Sequence, residues 1–181
     1  MPFAYYERLS ARNQAIYRRS DAVTEVRLLH PELLRPIVGV LQEALGGEKR
    51  QAVETASSRL CQGITEMLCL PPASVQVLAV RPSQRSGELH GLYHLAEASR
   101  PARIQVWMRT AQHRRVVAFR TFLRTLLHEL SHHLDYTHLG LPDSFHTEGF
   151  FRRESSLFHQ LVPGPSHLAA PDDSAGSPLE S

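Results

Sequence analysis

The chain has 181 residues, a formal net charge of +2, and 42% hydrophobic and 21% charged residues, a composition typical of a globular domain with one substantial core. So small a charge creates no overall field that would select a nucleic acid or a membrane as partner. No segment approaches the roughly 20 consecutive apolar residues of a membrane span, and the N-terminal MPFAYYERLSAR lacks the apolar core of a signal peptide. We therefore expect a cytoplasmic protein without membrane contact.

The first 70 residues have the apolar spacing and the stop signals of three helices. Gly46-Gly47 and Pro71-Pro72 are typical helix terminators and end the second and third of them. The predicted helices cover residues 3–19, 31–45 and about 48–70. We expect residues 1–70 to form a helical region that packs on the remainder of the chain.

The two cysteines of the sequence, Cys61 and Cys69, fall in the apolar pattern of the third helix. They do not have the C-x-x-C spacing of a metal or redox motif. Free cysteines behave as small hydrophobic residues and are among the most often buried. Both are therefore expected to be buried free thiols.

Between residues 75 and 110 the apolar period shortens to that of strands. Three β-prone runs, at 75–80, 87–95 and 102–110, are separated by the turn-prone segments RPSQRSG and EASRP. The third run alternates, with Ile104 and Val106 on one face and Trp107 on the other. Together the runs predict a small antiparallel or mixed sheet.

Two helices and a polar tail complete the chain. A long helix is expected at about 115–139, stopped by Gly140 and Pro142, and a last helix at about 144–162. Residues 163–181 are rich in Pro, Ser, Ala and Asp and have little to bury, which predicts a disordered tail. The resulting fold class is α+β, with the sheet and two helices forming a core over residues 71–162.

The long helix carries the motif H-E-x-x-H at residues 128–132, which predicts a zinc site. Side chains four residues apart leave the same face of a helix, so His128 and His132 can bind one ion at about 2.0–2.1 Å. Glu129 is then placed as general base, taking a proton from a metal-activated water that attacks a carbonyl. His133 points about 100° away from His132 on a helical wheel and is expected to flank the site.

A catalytic zinc usually has a third protein ligand, and several candidates follow the motif. His138 has the spacing of one zincin class, but that class needs glycine at the eighth motif position, where this chain has Asp135. Glu154 and Glu148 are alternatives, since a glutamate from a following helix is the third ligand in another class. Glu154 lies beside Arg152 and Arg153 and can instead pair with them.

His146 is the candidate that the helix pattern favours. It falls in the first turn of the last predicted helix, with Asp143 or Ser144 as the expected cap. It also lies near the apolar stripe that continues through Phe150. A short loop, GLPDS, can fold this helix back against the long one and bring His146 over the two motif histidines.

Four segments carry a family resemblance, namely GLYHL at 91–95, RIQVW at 103–107, HELSH at 128–132 and HTEGF at 146–150. In this order they resemble the compact SprT-like and Wlm-like zincin metallopeptidases, over roughly residues 75–160. The resemblance implies a zincin-like fold with zinc ligands at His128, His132 and His146 and with Glu129 as general base. It also implies that strand 102–110 is the edge strand that pairs with an extended peptide substrate.

These signals predict a zinc metalloendopeptidase with one zinc per chain and a peptide or protein substrate. Two alternatives stay open, a metal-binding regulatory or interaction module of zincin fold and a nucleic-acid-associated SprT-like protease. The second is suggested by a basic cluster on and before the long helix. This cluster consists of Arg109, Arg114, Arg115, Arg120 and Arg124. Tyr136 is a candidate oxyanion ligand only if the helix end bends toward the metal.

Overall fold

A computed structural model describes residues 3–84 and 87–164. Within these ranges the α-helices are α1 (Ala11–Ala22), α2 (Arg35–Gly46), α3 (Arg50–Met67), α4 (Phe119–Thr137) and α5 (Glu148–Leu161). The strands are β1 (Ser74–Val80), β2 (Ser83–Gln84), β3 (Gly87–Glu88), β4 (Gly91–His94) and β5 (Arg103–Arg109). The predicted α+β class is confirmed. The predicted tail lies outside the described residues from position 165 onward.

The first predicted helix is interrupted in the structure. A short 3-10 turn spans Tyr6–Arg8, the chain then extends through Leu9 and Ser10, and α1 begins at Ala11. The Ser10 side chain accepts a hydrogen bond from the backbone N–H of Asn13 at 3.3 Å, which is the interaction of an N-cap. The cap starts a new helix at a position where the apolar pattern alone predicted a continuous one.

The third helix ends at Met67, three residues earlier than predicted. Cys69 follows in the left-handed region at φ 54°, and the N–H of Leu70 closes the turn on the carbonyl of Thr65 at 2.9 Å. Cys61 is buried as predicted, but Cys69 is exposed. The prediction for Cys69 was wrong because the residue lies in the turn and not in the helix.

The main sheet is mixed and has the strand order β1-β5-β4. β5 pairs in parallel with β1 and antiparallel with β4, so that Val106 lies opposite both Val77 and Gly91. β5 is therefore the central strand, and the prediction that it forms the edge was wrong. The physical reason is that both hydrogen-bonding edges of β5 are paired. Trp107, on the face taken as polar, is also buried.

The two outer strands differ in how their free edges are covered. At β1, the side chains of α3 cover the edge, because Arg50 donates to the carbonyl of Val77 and Glu54 accepts from its N–H, both at 2.8 Å. β4 has no second strand partner among the described residues. The open edge of this sheet is therefore β4.

One continuous core joins the helices to the sheet. It contains Leu41 of α2, Leu60 of α3, Ile104 of β5, Leu126 of α4 and Leu157 of α5. Side chains of the predicted N-terminal region and of the predicted core region thus share one interior. None of the described helices has the length and apolarity to cross a membrane.

Candidate metal centre

Helix α4 buries one face and turns the other toward a cavity, as its sequence predicted. Leu123, Leu126 and Leu130 are fully buried, whereas His128 and His132 line a cavity of about 640 Å³ on the opposite face. The two imidazoles lie one turn apart, as the i, i+4 spacing requires. Packing of the apolar face on β4, β5 and α5 fixes the direction in which the histidines project.

His146 completes a cluster of three imidazoles. Its Nε2 lies 3.0 Å from Nε2 of His128 and 3.1 Å from Nε2 of His132. Three nitrogens that bind one tetrahedral zinc at about 2.0–2.1 Å are about 3.3 Å apart. Among the described residues, these three histidines are the group whose potential ligand atoms lie close enough together to bind one metal ion. Their spacing fits a single small cation.

The backbone that carries His146 differs from the predicted helix start. Helix α5 begins at Glu148, and its cap is Thr147, whose hydroxyl accepts from the N–H of Phe150 at 2.9 Å. Asp143 and Ser144 lie in the preceding loop, so the predicted caps were wrong. His146 therefore belongs to the loop, immediately before the cap, and not to the first helical turn.

Hydrogen bonds at the Nδ1 atoms fix the tautomers of His128 and His132. His128 Nδ1 lies 3.1 Å from a carboxylate oxygen of Glu154, so this nitrogen carries the proton. His132 Nδ1 lies 2.7 Å from the hydroxyl of Ser144. That hydroxyl donates its own proton to Asp135 at 2.7 Å and must accept from the imidazole.

Both Nε2 atoms consequently present lone pairs toward His146. One imidazole N–H can satisfy only one of two facing lone pairs, whereas a cation satisfies all three nitrogens. Burial also lowers the pKa of His132 to about 3 and lowers the pKa of His146. Both side chains are therefore neutral near pH 7, which is the form that binds metal.

The other candidate ligands lie outside the cluster. Glu154 binds the far side of the His128 ring, where it also approaches Arg124 at 3.6 Å. Glu148 pairs with Arg152 at 2.6 Å. His138 caps the C-terminal end of α4 and is exposed. Glu154 thus holds the His128 ring and lies outside the group of converging nitrogens.

Glu129 lies in the same cavity as the three histidines and is 7% exposed. Burial, reinforced by the nearby Glu154 carboxylate, raises the pKa of Glu129 to about 7, although His128 opposes the shift. A carboxyl group with a pKa near the working pH can both take up and release a proton. Its position and its pKa are those that a general base requires.

Gly91 of β4 makes room for this carboxyl group. A Cβ at this position would lie 2.7 Å from Cγ and 2.8 Å from Cδ of Glu129, well inside the roughly 3.5–4.0 Å at which carbon atoms that are not bonded to each other pack. The edge strand passes this near the Glu129 carboxyl group because residue 91 has no side chain. The GLYHL segment thus has a role at the site that its sequence pattern did not predict.

Alanine at Gly91 is expected to displace the Glu129 carboxyl group without altering the three histidines. If Glu129 is a general base, the rate of hydrolysis should fall about tenfold to a hundredfold in Gly91→Ala, because small misplacements of reacting groups cost rates of this order. Zinc content, determined by elemental analysis, should equal that of the wild type. A Cβ at Gly39 would have no neighbour within 4 Å, so Gly39→Ala is the control and should keep full activity.

Aromatic side chains form the wall beside the motif. Tyr93 stacks on Tyr136 at 5.9 Å and on His132 at 6.4 Å between ring centroids. The Tyr93 hydroxyl lies 3.0 Å from Nδ1 of His133, whose Nε2 lies 2.8 Å from the carbonyl of Pro71. His133 is thus a buried bridge beside the cluster, while Tyr136 lines the cavity.

A buried ion pair behind the cluster was not predicted from the sequence. Asp135 and Arg153 are 0% and 1% exposed and meet at 2.7 Å. Through Ser144, Asp135 supports the imidazole of His132. The two charges lie 18 positions apart on different helices, and the sequence marks Asp135 only as the residue in place of a glycine.

Within the predicted basic cluster, three arginines have partners inside the chain. Arg109 pairs with Glu48, and the guanidinium groups of Arg120 and Arg124 lie 4.9 and 4.1 Å from the ring centroid of Phe158. Cation–π contacts of this kind hold arginine side chains against the protein surface. A nucleic-acid partner stays a prediction.

The site is thus defined by its own geometry, with three converging Nε2 atoms and one buried carboxyl group in a single cavity. Of the residues predicted for it, His128, Glu129, His132 and His146 come together. Comparisons of the chain with protein-family models, with curated proteins and with solved structures found no match.

Proposed function

We propose that this chain is a zinc-dependent peptidase of compact zincin type, with His128, His132 and His146 as the metal ligands and Glu129 as general base. The observation that carries the proposal is the opening of all four side chains into one cavity of about 640 Å³. Imidazole nitrogens at this spacing suit zinc, which prefers nitrogen and sulfur donors and keeps a position free in catalytic sites.

Each protein group has a distinct part in the proposed reaction. Zinc, when bound, supplies a Lewis acid that polarises a carbonyl and makes water more acidic. Glu129 accepts a proton from the attacking water on its carboxylate oxygen and then donates it to the nitrogen of the leaving amine. Glu154 and Ser144 hold the His128 and His132 rings through Nδ1, so that both Nε2 lone pairs stay directed at the metal position.

The open edge of β4 supports an extended peptide as the substrate. Gly91, Leu92 and Tyr93 line the cavity beside the histidines, and the outer edge of their strand is unpaired among the described residues. An extended peptide can add to such an edge through main-chain hydrogen bonds. The strand that pairs with the substrate is then β4 and not β5, to which the resemblance assigned this role.

The position of Glu129 favours an enzyme over a module that only binds metal. A structural zinc site has no use for a buried carboxyl group beside its ligands, and burying such a group without a function costs stability. Here the glycine at position 91 also leaves the space that the Glu129 carboxyl group occupies. The regulatory-module alternative gives no reason for either feature.

Metal analysis tests the ligand set. We expect the purified wild type to bind one zinc per chain. His146→Ala should weaken zinc binding by more than the roughly 10–100-fold that loss of an outer hydrogen-bond partner costs, as measured by competition with a chelator. His138→Ala removes a nearby histidine outside the cluster and should leave the affinity unchanged. Equal affinities for His146→Ala and the wild type would place the third ligand elsewhere.

A further inference from the structure

The loop that carries His146 has little regular structure of its own. Between α4 and α5, the N–H of Leu141 bonds to the carbonyl of Asp135 at 2.9 Å and that of Thr147 to Phe145 at 2.8 Å. Neither bond involves the N–H or the carbonyl of His146 itself, whereas metal geometry requires that a ligand be held to a few tenths of an ångström. Some other part of the chain must fix the position of the third imidazole.

The N-terminal segment, residues 3–23, contacts this loop at successive positions. The Tyr5 hydroxyl donates to the carbonyl of His146 at 2.9 Å. The hydroxyls of Ser20 and Thr147, the latter being the next residue after the ligand, lie 3.4 Å apart. These contacts join parts of the chain that are separated by 141 and 127 positions.

The first turn of α5 rests directly on the end of α1. The Asp21 carboxylate accepts a hydrogen bond from the N–H of Gly149 at 2.8 Å, where a negative charge also interacts favourably with the helix dipole. A Cβ at Gly149 would lie 2.8 Å from the backbone Cα and C atoms of Asp21. The two helices approach this closely only because position 149 is glycine.

One turn further along α5, Arg153 extends the connection to the other ligands. Its guanidinium donates to the carbonyls of Ser20 and Val23 at the end of α1 and to Asp135 on α4. Asp135 in turn accepts from Ser144, the hydroxyl that binds His132. Through these hydrogen bonds, the end of α1 is connected to the residues that hold His132 and His146.

We propose that the N-terminal segment is a positioning element of the metal centre, in which Tyr5 and Asp21 set the location of His146. The inference rests on the proposed function only in requiring that the three histidines bind metal. Tyr5 and Asp21 are not among the residues that line the cavity, so in this proposal they act through the imidazole. A helical region predicted only to pack on the core thereby becomes part of the site.

The test measures zinc affinity of the full chain by chelator competition. Asp21→Ala is expected to weaken zinc binding about tenfold, at the lower end of what outer hydrogen-bond partners contribute. Tyr5→Phe is expected to weaken it less, about threefold, because the Tyr5 hydroxyl binds the main chain of His146 and not its imidazole. The matched controls are Glu7→Ala, which removes a neighbouring acidic side chain, and Tyr6→Phe, since the Tyr6 hydroxyl binds Arg18 instead. Both controls should bind zinc as the wild type does.

A double-mutant cycle with His146→Ala separates positioning from general destabilisation. If Asp21 acts through His146, the tenfold effect of Asp21→Ala should disappear once the imidazole is absent, whereas a general loss of stability would persist. The cobalt(II)-loaded single variants give a second readout. Their absorption should show the altered coordination geometry of a misplaced ligand, and metal-free samples should keep the wild-type circular dichroism.

The possible results separate a failure of the positioning role from a failure of the proposed peptidase function. Unchanged zinc affinity and cobalt spectra in both variants, or an undiminished effect in the His146→Ala background, would overturn the inference while leaving the peptidase proposal intact. Weakened zinc binding together with an inactive wild type would support the inference and count against the peptidase. A wild type that binds no zinc would overturn both.

Discussion

Replacing Glu129 by glutamine is expected to abolish peptide hydrolysis while zinc binding is retained. Glutamine has nearly the same shape but cannot accept the proton of the attacking water, and general bases contribute roughly 10²–10⁴-fold to a rate. We therefore expect kcat/KM on an unfolded protein substrate to fall by at least about 10²-fold. Zinc content should stay at one per chain, because the three Nε2 atoms converge without Glu129.

The control for this variant is Glu66→Gln, an identical change at an exposed glutamate of α3 that hydrogen-bonds Gln62. It should hydrolyse the substrate at the wild-type rate. Hydrolysis by a Glu129→Gln preparation at a rate near that of the wild type would contradict the proposed mechanism. Loss of zinc by the variant would show instead that Glu129 takes part in metal binding.

Metal-free protein gives this variant a second, independent signature. Burial raises the pKa of Glu129 to about 7, against about 4.3 in an unfolded chain. The folded state then holds this proton more tightly than the unfolded state does. The free energy of unfolding therefore falls as the pH rises from about 4.3 to about 7, by at most about 3–4 kcal/mol. Glutamine does not titrate, so the stability advantage of Glu129→Gln should grow over the same pH range in urea unfolding with a chelator present.

The histidine pair on α4 was predictable because helix geometry is local. The i, i+4 spacing of His128 and His132 determines that they share a face, whatever the rest of the fold does. His146 required one tertiary assumption, that the last helix folds back on the long one, and the structure agrees with it. The detail was wrong, since Thr147 and not Asp143 or Ser144 caps that helix, because cap positions depend on individual side-chain hydrogen bonds.

Strand order was not predictable in the same way. The alternation of Ile104 and Val106 identifies a strand but not its neighbours, which are set by pairing across long stretches of chain. One local signal did exist. Trp107 lies on the face of β5 whose other residues are polar, and a large aromatic side chain there indicates cover on both faces. That signal concerns the faces of β5 only. The pairing of both its edges, and the open edge at β4, become visible only in the structure.

The support of the site was the least predictable part. Tyr5, Asp21 and Arg153 reach the metal centre through contacts that span up to 141 positions, and no period or motif records such contacts. Arg153 in particular was considered only as one possible partner of Glu154, the adjacent residue. In the structure it points to the opposite side, toward Asp135, because residues next to each other on a helix do not face one another.

Arg153→Ala is expected to lower the free energy of unfolding by about 3–5 kcal/mol, the effect of removing one member of a buried ion pair. The change leaves the carboxylate of Asp135, which is 0% exposed, without its counter-charge. It also removes the guanidinium donor from the carbonyls of Ser20 and Val23. The Ser20 carbonyl keeps the N–H of Val23, but the partly buried Val23 carbonyl loses this donor, which adds to the cost. Urea unfolding of metal-free protein measures the effect without a contribution from zinc binding.

The neighbouring Arg152→Ala is the matched control, since Arg152 pairs with Glu148 at the surface, where its side chain is 61% exposed. Exposed pairs of this kind contribute roughly 0.3–0.5 kcal/mol on a helix, so this variant should unfold almost as the wild type does. A loss below about 1 kcal/mol for Arg153→Ala would mean that water reaches Asp135. If the full loss is observed, the double variant Arg153→Ala/Asp135→Leu identifies its source. Leucine removes the carboxylate that lacks a partner, so a double variant that is more stable than Arg153→Ala would show that this carboxylate causes most of the loss.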